Sequence, residues 1–335
     1  MSPYTGLMES EAKRIELSVV IPVFNEEAVL EQLILRLHQA CSGITTAYEL
    51  VFVNDGSSDR SPEMLRAYAS NDERVKYISF SRNFGHQNAV MAGIMQSRGE
   101  AVVLIDGDLQ DPPELIPELF ARYCEGYKVV NARRIQRKGE SVFKKLSAGI
   151  FYRTLKRITS IDIPLDTGDF RLISREVVNH LTAMGESSRF IRGQIAWLGF
   201  RQISVEFERQ ERKAGKTKYT LRKMLRFAMD GITSFSNFPL QIATFLGFLF
   251  SVFAFIIILY ALYSKFVLQE VVTGWTSIMI SSMFIGGVQL LCIGIIGEYI
   301  SRISADVKRR PSFVIEETNC NNGMKDPEKE DTPET

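Results

Sequence analysis

The sequence contains few of the residues that build metal clusters or disulfide frameworks. It has 4 cysteines and 3 histidines in 335 residues. The cysteines form no C-x-x-C pair and have no zinc-ligand spacing, which predicts free thiols in a reducing compartment. His38, His86 and His180 are also far apart along the chain. The sequence therefore predicts no metal site that is built on histidine.

An excess of charge is also lacking. The formal net charge is +1, whereas surfaces that bind nucleic acids are usually basic. We therefore expect no nucleic-acid partner. The first residues contain no basic region followed by an apolar run, so we expect no signal peptide and interpret residues 1–16 as an N-terminal extension.

Two long segments lack charged residues altogether. Residues 231–264 and 271–297 contain no Asp, Glu, Lys or Arg. Each exceeds the ~20 residues that a helix needs to cross a bilayer. They predict a two-helix transmembrane hairpin over 238–300, with spans at about 240–263 and 272–297. A pair of buried helices in a soluble protein is the alternative interpretation.

The residues around the hairpin predict its orientation. Basic residues flank both spans on the outside, while the connector contains only Lys265 and Glu270. Positive charge stays on the cytoplasmic side, so we expect a multi-pass protein of the plasma (inner) membrane with both termini inside. Residues 220–237 show a basic amphipathic pattern that is typical of a juxtamembrane helix at the membrane surface. Residues 301–335 are polar and lack periodicity, which predicts a largely disordered cytoplasmic tail.

The remaining part of the chain alternates between strand and helix patterns. Short apolar runs rich in β-branched residues predict strands, and amphipathic segments between them predict helices. This alternation indicates a Rossmann-like α/β domain with a mostly parallel sheet over residues 17–219. No G-x-G-x-x-G follows the first strand, so a dinucleotide site is not expected. The predicted strands are LSVVIPVF, YELVFVND, VKYISF, AVVLID and YKVVNAR.

Local patterns predict how three of the helices begin. Asn25 and Ser61 precede helical patterns and are expected to be N-caps. Asp111 is followed by two prolines and by Glu114. This arrangement predicts a capping box that starts the next helix.

Asp106 and Asp108 flank Gly107 directly after the fourth predicted strand. Ligands of α/β sheets bind beyond the carboxyl ends of the strands. Paired carboxylates at such a position can hold Mg²⁺ or Mn²⁺, which would neutralise a diphosphate. The alternative is a solvated Asp-Gly turn.

The motifs VVIPVFNE, VNDGSSD and DGDLQDPPE, in this order, resemble those of family-2 glycosyltransferases with the GT-A fold. The later motifs DTGDFRLIS, RGQIAWLGF and RKAGKTKY are similar to the polyprenyl-phosphate branch of that family, which includes bactoprenol glucosyltransferases and dolichol-phosphate mannosyltransferases. The resemblance implies a membrane-bound inverting enzyme that moves one sugar, glucose from UDP-glucose, onto undecaprenyl phosphate. It also implies a homo-oligomer, with a tetramer as the expected state.

Three alternatives remain open beside this expectation. The same site could transfer mannose or a sugar of the aminoarabinose type. A membrane scaffold or nucleotide sensor without catalysis would belong to another functional class. A processive polysaccharide synthase is disfavoured because the Q-x-x-R-W signature is absent.

The resemblance also implies roles for individual residues. Asp55 is expected to hydrogen-bond the nucleobase, and Asp169 is the first choice for the catalytic acid near the acceptor, with Asp166 second and Asp108 acting with the metal. A phosphomonoester is already largely dianionic at neutral pH, so Asp169 is a candidate for orienting a group as much as for a base. The nucleotide pocket is expected to include Pro22, Phe24, Asn25 and Glu26.

Three basic residues are candidates for binding phosphates. Arg82 follows the third predicted strand, and Arg212 and Lys218 lie in the glycine-containing loop before the first span. An arginine can bind a phosphate through two nitrogens at once. The alternatives are an ordinary surface arginine and a juxtamembrane anchor that contacts anionic lipid headgroups.

Overall fold

The computed structural model describes residues 14–134, 167–186, 189–207, 238–263, 266–267, 274–308 and 310–320. Asp166, Arg212, Lys218 and the juxtamembrane helix predicted at 220–237 lie outside the described residues.

The described chain consists of an α/β domain, two long helices and a final short strand. The strands are β1 (Leu17–Val23), β2 (Tyr48–Asn54), β3 (Val75–Phe80), β4 (Ala101–Leu104), β5 (Val129–Arg134), β6 (Thr167–Ser174), β7 (Gln202–Phe207) and β8 (Ile315–Thr318). The α-helices are α1 (Glu27–Ser42), α2 (Ser61–Asn71), α3 (His86–Gln96), α4 (Ile116–Cys124), α5 (Arg175–Ala183), α6 (Ile191–Trp197), α7 (Phe238–Tyr263) and α8 (Trp275–Val307), and a 3₁₀ turn spans Pro113–Leu115.

All eight strands form one sheet in the order β7-β5-β6-β4-β1-β2-β3-β8. The central strands β4, β1, β2 and β3 are parallel. Strand β6 runs antiparallel to β4 and β5, and β8 runs antiparallel to β3. The mostly parallel α/β sheet is therefore confirmed, and all five predicted strands are present.

Helices cover both faces of this sheet. Successive side chains of a strand point to opposite faces, so Val19 and Ile21 pack with α1, α2 and α4, while Val20 packs with α3, α5 and α6. Because both faces are buried, the central strands are apolar at nearly every position. This explains why they appear in the sequence as continuous apolar runs.

Helix α3 lies unusually close to the sheet. A Cβ atom added at Gly93 would lie 2.2 Å from Val20 Cγ1 and 3.1 Å from Val53 Cγ2. The missing side chain therefore lets the helix backbone approach β1 and β2. Helix α3 begins at His86, so this packing also sets the position of the His86 side chain.

None of the three predicted helix caps occupies the cap position, and each lies one residue away from the residue that does: Glu26, Arg60 and Pro112. Asn25 has a φ of 58° and precedes the actual cap, Glu26, because the left-handed conformation directs its side chain to the next loop. Asn25 Oδ1 accepts a hydrogen bond from Ser58 N at 2.8 Å. Ser61 is the first residue of α2, and its Oγ accepts from Glu26 N at 3.2 Å.

The capping box at Asp111 is also absent. Asp111 is fully buried, and its Oδ1 accepts from Arg134 Nη2 at 3.4 Å. The 3₁₀ turn that follows begins without a side-chain cap. The pairing with Arg134 across the sheet therefore replaces the local cap that the sequence pattern predicts.

The two apolar helices α7 and α8 lie against each other. The rings of Phe250 and Phe284 meet edge to face, with centroids 5.2 Å apart. Within the described residues, Ser281–Val307 is the one helical segment long and apolar enough to cross a membrane, and α7 contains a shorter apolar segment, Ala243–Ile257. A membrane crossing by both helices therefore stays a prediction.

The tail is partly ordered, which corrects the disorder expected for residues 301–335. Helix α8 continues to Val307, and β8 adds to the edge of the sheet beside β3. An edge strand offers unpaired backbone groups to any segment that can reach it. Residues 321–335 lie outside the part of the chain that the structure describes.

Candidate active site

Three side chains from different elements meet beyond the carboxyl end of β4. His86 Nε2 lies 3.1 Å from Asp169 Oδ2 and 3.6 Å from Asp106 Oδ1. The antiparallel register pairs Leu104 of β4 with Arg171 of β6, so Asp106 and Asp169 come opposite each other two residues further on. One ligand atom from each of the three residues falls within 4.8 Å of the others, a spacing that could hold a metal ion.

These three groups lie close enough together for each charge to change the pKa of the others. Burial by itself lowers the pKa of His86, but the hydrogen bond to Asp169 and the charge of Asp106 outweigh it and raise that pKa to about 9. Burial would raise the pKa of Asp169, but the His86 hydrogen bond and the charge of Arg192 lower it. At neutral pH the pair is therefore an imidazolium and a carboxylate.

The negative charge of Asp106 is less well balanced by neighbouring positive charge than that of Asp169. Burial raises its pKa, the nearby charges of Asp169 and Asp108 act in the same direction, and His86 opposes them. Its Oδ1 is buried and has no hydrogen-bond partner among the described residues. Buried polar atoms are normally hydrogen-bonded, and an orphaned carboxylate oxygen is a preferred ligand of Mg²⁺ or Mn²⁺. The residues present therefore fit a divalent cation.

Asp108 is oriented differently from Asp106. Its Oδ1 accepts from Gln110 N at 3.1 Å, and its Oδ2 accepts from Gln110 Nε2 at 2.7 Å. Leu109, which lies between Asp108 and Gln110, has a φ of 59°, and this is uncommon for a residue with a side chain. The structure thus brings Asp106 together with His86 and Asp169, and the role of Asp108 in metal binding stays a prediction.

The turn that carries Asp106 and Asp108 lies directly against the end of β1. A Cβ atom at Gly107 would lie 2.9 Å from the carbonyl oxygen of Pro22. Glycine is therefore required for the turn to pass this close to the strand. Pro22 pairs with Val53 of β2, and its close contact with Gly107 places it beside the turn that carries both aspartates.

Asp169 contacts side chains on both of its oxygens. Oδ1 accepts from Arg192 Nη2 at 2.9 Å and from Arg192 Nε at 3.3 Å. Oδ2 accepts from Gln87 Nε2 at 3.4 Å in addition to its contact with His86. A carboxylate held by two cations is a weak proton acceptor. The geometry favours an orienting role for Asp169 over that of a base.

Asp55 is buried beneath the loop that joins β3 to α3. Its Oδ1 accepts from Phe84 N at 2.7 Å, and its Oδ2 accepts from Gly85 N at 3.0 Å. Burial raises its pKa, and these two backbone amides oppose that effect. Asp55 therefore anchors the loop that leads into His86, and its hydrogen bond to a nucleobase stays a prediction.

The other candidates for the nucleotide pocket lie on the loops after β1 and β3. Phe24 is 47% exposed just beyond β1, where a planar ring is free to stack on a base. Glu26 donates its backbone N–H to Ser61. The guanidinium of Arg82 lies over the ring of Phe84 at 4.1 Å, and its contact with a phosphate stays a prediction.

Sequence reasoning missed two members of this site. His86 was not expected to join a polar cluster, because neither Asp106 nor Asp169 is near it in the sequence. Arg192 opens the RGQIAWLGF motif, which carried a resemblance but no assigned chemistry. Its position in that motif was the one available signal.

Known proteins are similar to this chain over most of its length. The model of glycosyl transferase family 2 matches residues 18–182. The uncharacterized glycosyltransferase YkcC of Bacillus subtilis is 48% identical over 307 residues, covering 92% of this chain and 95% of that protein. The bactoprenol glucosyl transferase of Shigella phage SfII is 38% identical over 308 residues, covering 92% of this chain and 100% of that protein.

Solved structures show a more distant similarity. Glucosyl-3-phosphoglycerate synthase from Mycobacterium tuberculosis, crystallised with Mn²⁺, UDP and phosphoglyceric acid, is 22% identical with a TM-score of 0.45, covering 65% of this chain and 76% of that one. Staphylococcus aureus TarS in complex with UDP-GlcNAc is 16% identical with a TM-score of 0.45, covering 66% of each chain.

Proposed function

The chain belongs to glycosyl transferase family 2, and on that premise we propose that it transfers one glucose from UDP-glucose to a polyprenyl phosphate such as undecaprenyl phosphate. The observation that carries the proposal is the group of His86, Asp106 and Asp169, whose ligand atoms meet at the carboxyl end of the sheet. Relatives named as bactoprenol glucosyl transferases, 38% identical over 92% of the chain, support this acceptor.

Mg²⁺ or Mn²⁺ would be held by Asp106, which has an orphaned buried oxygen, together with Asp108. Asp169 offers a further carboxylate oxygen at the same place, whereas the protonated His86 donates to Asp169 and would bind a cation only after losing its proton. When bound, the cation supplies charge neutralisation for the nucleotide diphosphate as it leaves.

The residues of the chain itself hold the reactants in position. His86 and Arg192 fix the Asp169 carboxylate from two sides, so it can orient the sugar or a cation without accepting a proton. The acceptor phosphate is largely dianionic above its second pKa of ~6 and needs no base. One of its oxygens forms the bond to the anomeric carbon while the carbon–oxygen bond to UDP breaks, and UDP keeps the bonding electrons. A single displacement of this kind inverts the anomeric configuration.

The apolar helix α8 would bring this site to the bilayer, where the acceptor phosphate lies at the headgroup level. Holding both reactants at one surface removes much of the entropic cost of their encounter. We propose that the catalytic domain and both termini lie on the cytoplasmic face of the inner membrane, and that α7 and α8 form the hairpin.

The test is to incubate membranes that contain the full chain with undecaprenyl phosphate and a panel of labelled nucleotide sugars. We expect lipid-linked product from UDP-glucose in the presence of Mg²⁺ or Mn²⁺, and none after chelation. Asp106→Asn and Asp108→Asn should each lower the rate by at least about 100-fold, as expected for losing a ligand of a catalytic metal. Glu118→Gln, an exposed acid on α4, is the matched control.

Each alternative predicts a different result. Product from a mannose or aminoarabinose donor alone would keep the reaction and replace the sugar. No lipid-linked product from any donor, with nucleotide binding retained, would favour a sensor and refute the proposed transfer. Full activity of Asp106→Asn and Asp108→Asn would refute the metal assignment.

A further inference from the structure

The chain returns from α8 to the catalytic domain through residues 310–320, which we call the C-terminal strap. Helix α8 ends at Val307, and Phe313 is already packed on the sheet. Within the strap, β8 pairs antiparallel with β3, with Thr318 opposite Ile78 and Glu317 opposite Ser79. The end of the long apolar helix is therefore tied to the edge of the sheet.

Specific side-chain contacts hold the strap on β3. Glu317 Oε2 accepts from Arg66 Nε at 2.8 Å, and Glu317 Oε1 accepts from Tyr77 Oη at 2.7 Å. Asn319 Oδ1 accepts from Tyr77 N at 2.7 Å, while its Nδ2 donates to Val75 O at 3.1 Å. The Asn319 side chain thus continues the backbone ladder past the end of β8. These contacts hold the strap at one position on the edge of the sheet and in one pairing register with β3.

Phe313 connects the strap to the end of β3. Its ring stacks on Phe80, with centroids 5.0 Å apart and an angle of 16° between the planes. Phe80 in turn meets Phe84 edge to face at 5.7 Å. The carbonyl of Val314 accepts from Ser81 N at 3.1 Å, so the backbone follows the same path. Three aromatic rings therefore link the strap to the β3–α3 loop.

That loop carries groups of the candidate active site. The amides of Phe84 and Gly85 donate to Asp55, and the next residue, His86, contacts both Asp106 and Asp169. A displacement of Phe84 would loosen its bond to Asp55 and move His86. The contacts form a continuous path from Phe313 to the carboxylates.

We propose that the C-terminal strap positions the β3–α3 loop and that Phe313 is a positioning residue for the candidate active site. The effect on catalysis rests on the proposed glycosyl transfer, but the effect on the loop does not. Five residues, 308–312, separate the end of α8 from Phe313, and five extended residues span at most about 18 Å. The strap therefore also ties the position of the apolar helix to the geometry of the site.

Replacing Phe313 with alanine removes the ring that covers Phe80. Phe84 then loses part of its support, and His86 is held less firmly against Asp106 and Asp169. A misplacement of about 1 Å at a reacting group can cost about 100-fold in rate. We expect kcat to fall by about 10-fold or more in Phe313→Ala, with a much smaller change in KM for the nucleotide sugar.

The test uses the full-length protein in detergent or nanodiscs and compares Phe313→Ala with Glu316→Ala. Glu316 lies in the same C-terminal strap with an exposed side chain, so it is a matched control. Hydrogen–deuterium exchange is measured without substrate for the peptides that cover residues 82–88 and for those of β1 and α1. We expect faster exchange at 82–88 only in Phe313→Ala. Phe313→Leu, which keeps an apolar contact, should restore most of the protection.

Two results would overturn the inference. In one, exchange at 82–88 is unchanged in Phe313→Ala. In the other, exchange rises equally throughout the sheet, which would make the strap a general stabiliser of the fold. Because this measurement needs no substrate, it remains informative even if the wild-type protein makes no lipid-linked product, a result that would instead refute the proposed function.

Discussion

The packing of α3 on the sheet makes Gly93→Ala a sharp test of how the site is held in place. The new Cβ would lie 2.2 Å from Val20 Cγ1, whereas ordinary carbon contacts are about 3.5 Å or longer. The helix or Val20 must therefore move by roughly 1.3 Å, the difference between those two distances. Helix α3 begins with His86, two turns before Gly93, so its displacement reaches the candidate site.

Two opposing terms determine the change in stability. Overpacking of a well-packed core costs about 1–3 kcal/mol. Alanine is favoured over glycine inside a helix by about 1 kcal/mol. We therefore expect a net loss of up to about 2 kcal/mol in the free energy of unfolding. The loss of transfer rate should be larger, about 10- to 100-fold, because a shift near 1 Å disturbs the reacting geometry.

The assay is a double-mutant cycle with Val20→Ala, which removes the methyl group that the new Cβ would strike. Unfolding of each variant is followed by intrinsic fluorescence, and transfer by lipid-linked product. The double variant should be less destabilised than the sum of the two single variants by about 1 kcal/mol. Gly185→Ala is the control, since nothing lies within 4 Å of a Cβ at that position. If Gly93→Ala is as active as the wild type and more stable, the close packing of α3 does not position the site.

Three further predictions test separate contacts. Arg192→Lys should lower kcat about 10-fold, because an ammonium cannot reproduce the two-nitrogen contact with Asp169; steady-state kinetics with unchanged rates would contradict this. Gly107→Ala should lower transfer by more than about 10-fold with little change in thermal unfolding, since its Cβ would lie 2.9 Å from the Pro22 carbonyl and push the aspartate turn aside. Asn319→Ala removes two hydrogen bonds to β3 and should cost about 1–3 kcal/mol in chemical denaturation; an unchanged midpoint would show that the strap seat does not depend on them.

The strands and their mostly parallel arrangement could be predicted because their signals are local. A strand buried on both faces must be apolar at successive positions, and VVIPV and LVFV show this directly. The amphipathic pattern of α1 was equally readable, with Leu30, Leu33 and Leu37 all fully buried as expected. In each case the physical cause acts within about ten residues of the chain.

The helix caps failed for the opposite reason. DPPE has the composition of a capping box, but Asp111 is drawn to Arg134, 23 positions away. A buried carboxylate gains more from a cation than from a backbone amide at an exposed helix start. The local sequence correctly predicted a turn after Asp111, but the contact with Arg134 determines where the Asp111 side chain points.

The strap could not be predicted because its sequence carries no strand pattern. IEET lacks the alternation of a half-buried strand, and it follows a long apolar helix. Its pairing depends on the exposed edge of β3 and on the anchors at Arg66 and Tyr77. The pairing of β8 is therefore determined by β3 and by these two side chains, and the sequence of the segment alone does not show it.

The sequence by itself determined the class of fold, the ordered acidic motifs, the apolar helices and the resemblance to glycosyl transferase family 2, since each depends on spacing along the chain. Only the tertiary structure decided that His86 joins Asp106 and Asp169, which lie 20 and 83 residues away from it. Their meeting requires the antiparallel register of β6 on β4 and the close approach of α3 at Gly93. Charges separated in the sequence become one coupled site when strand order and helix packing bring them within hydrogen-bonding distance.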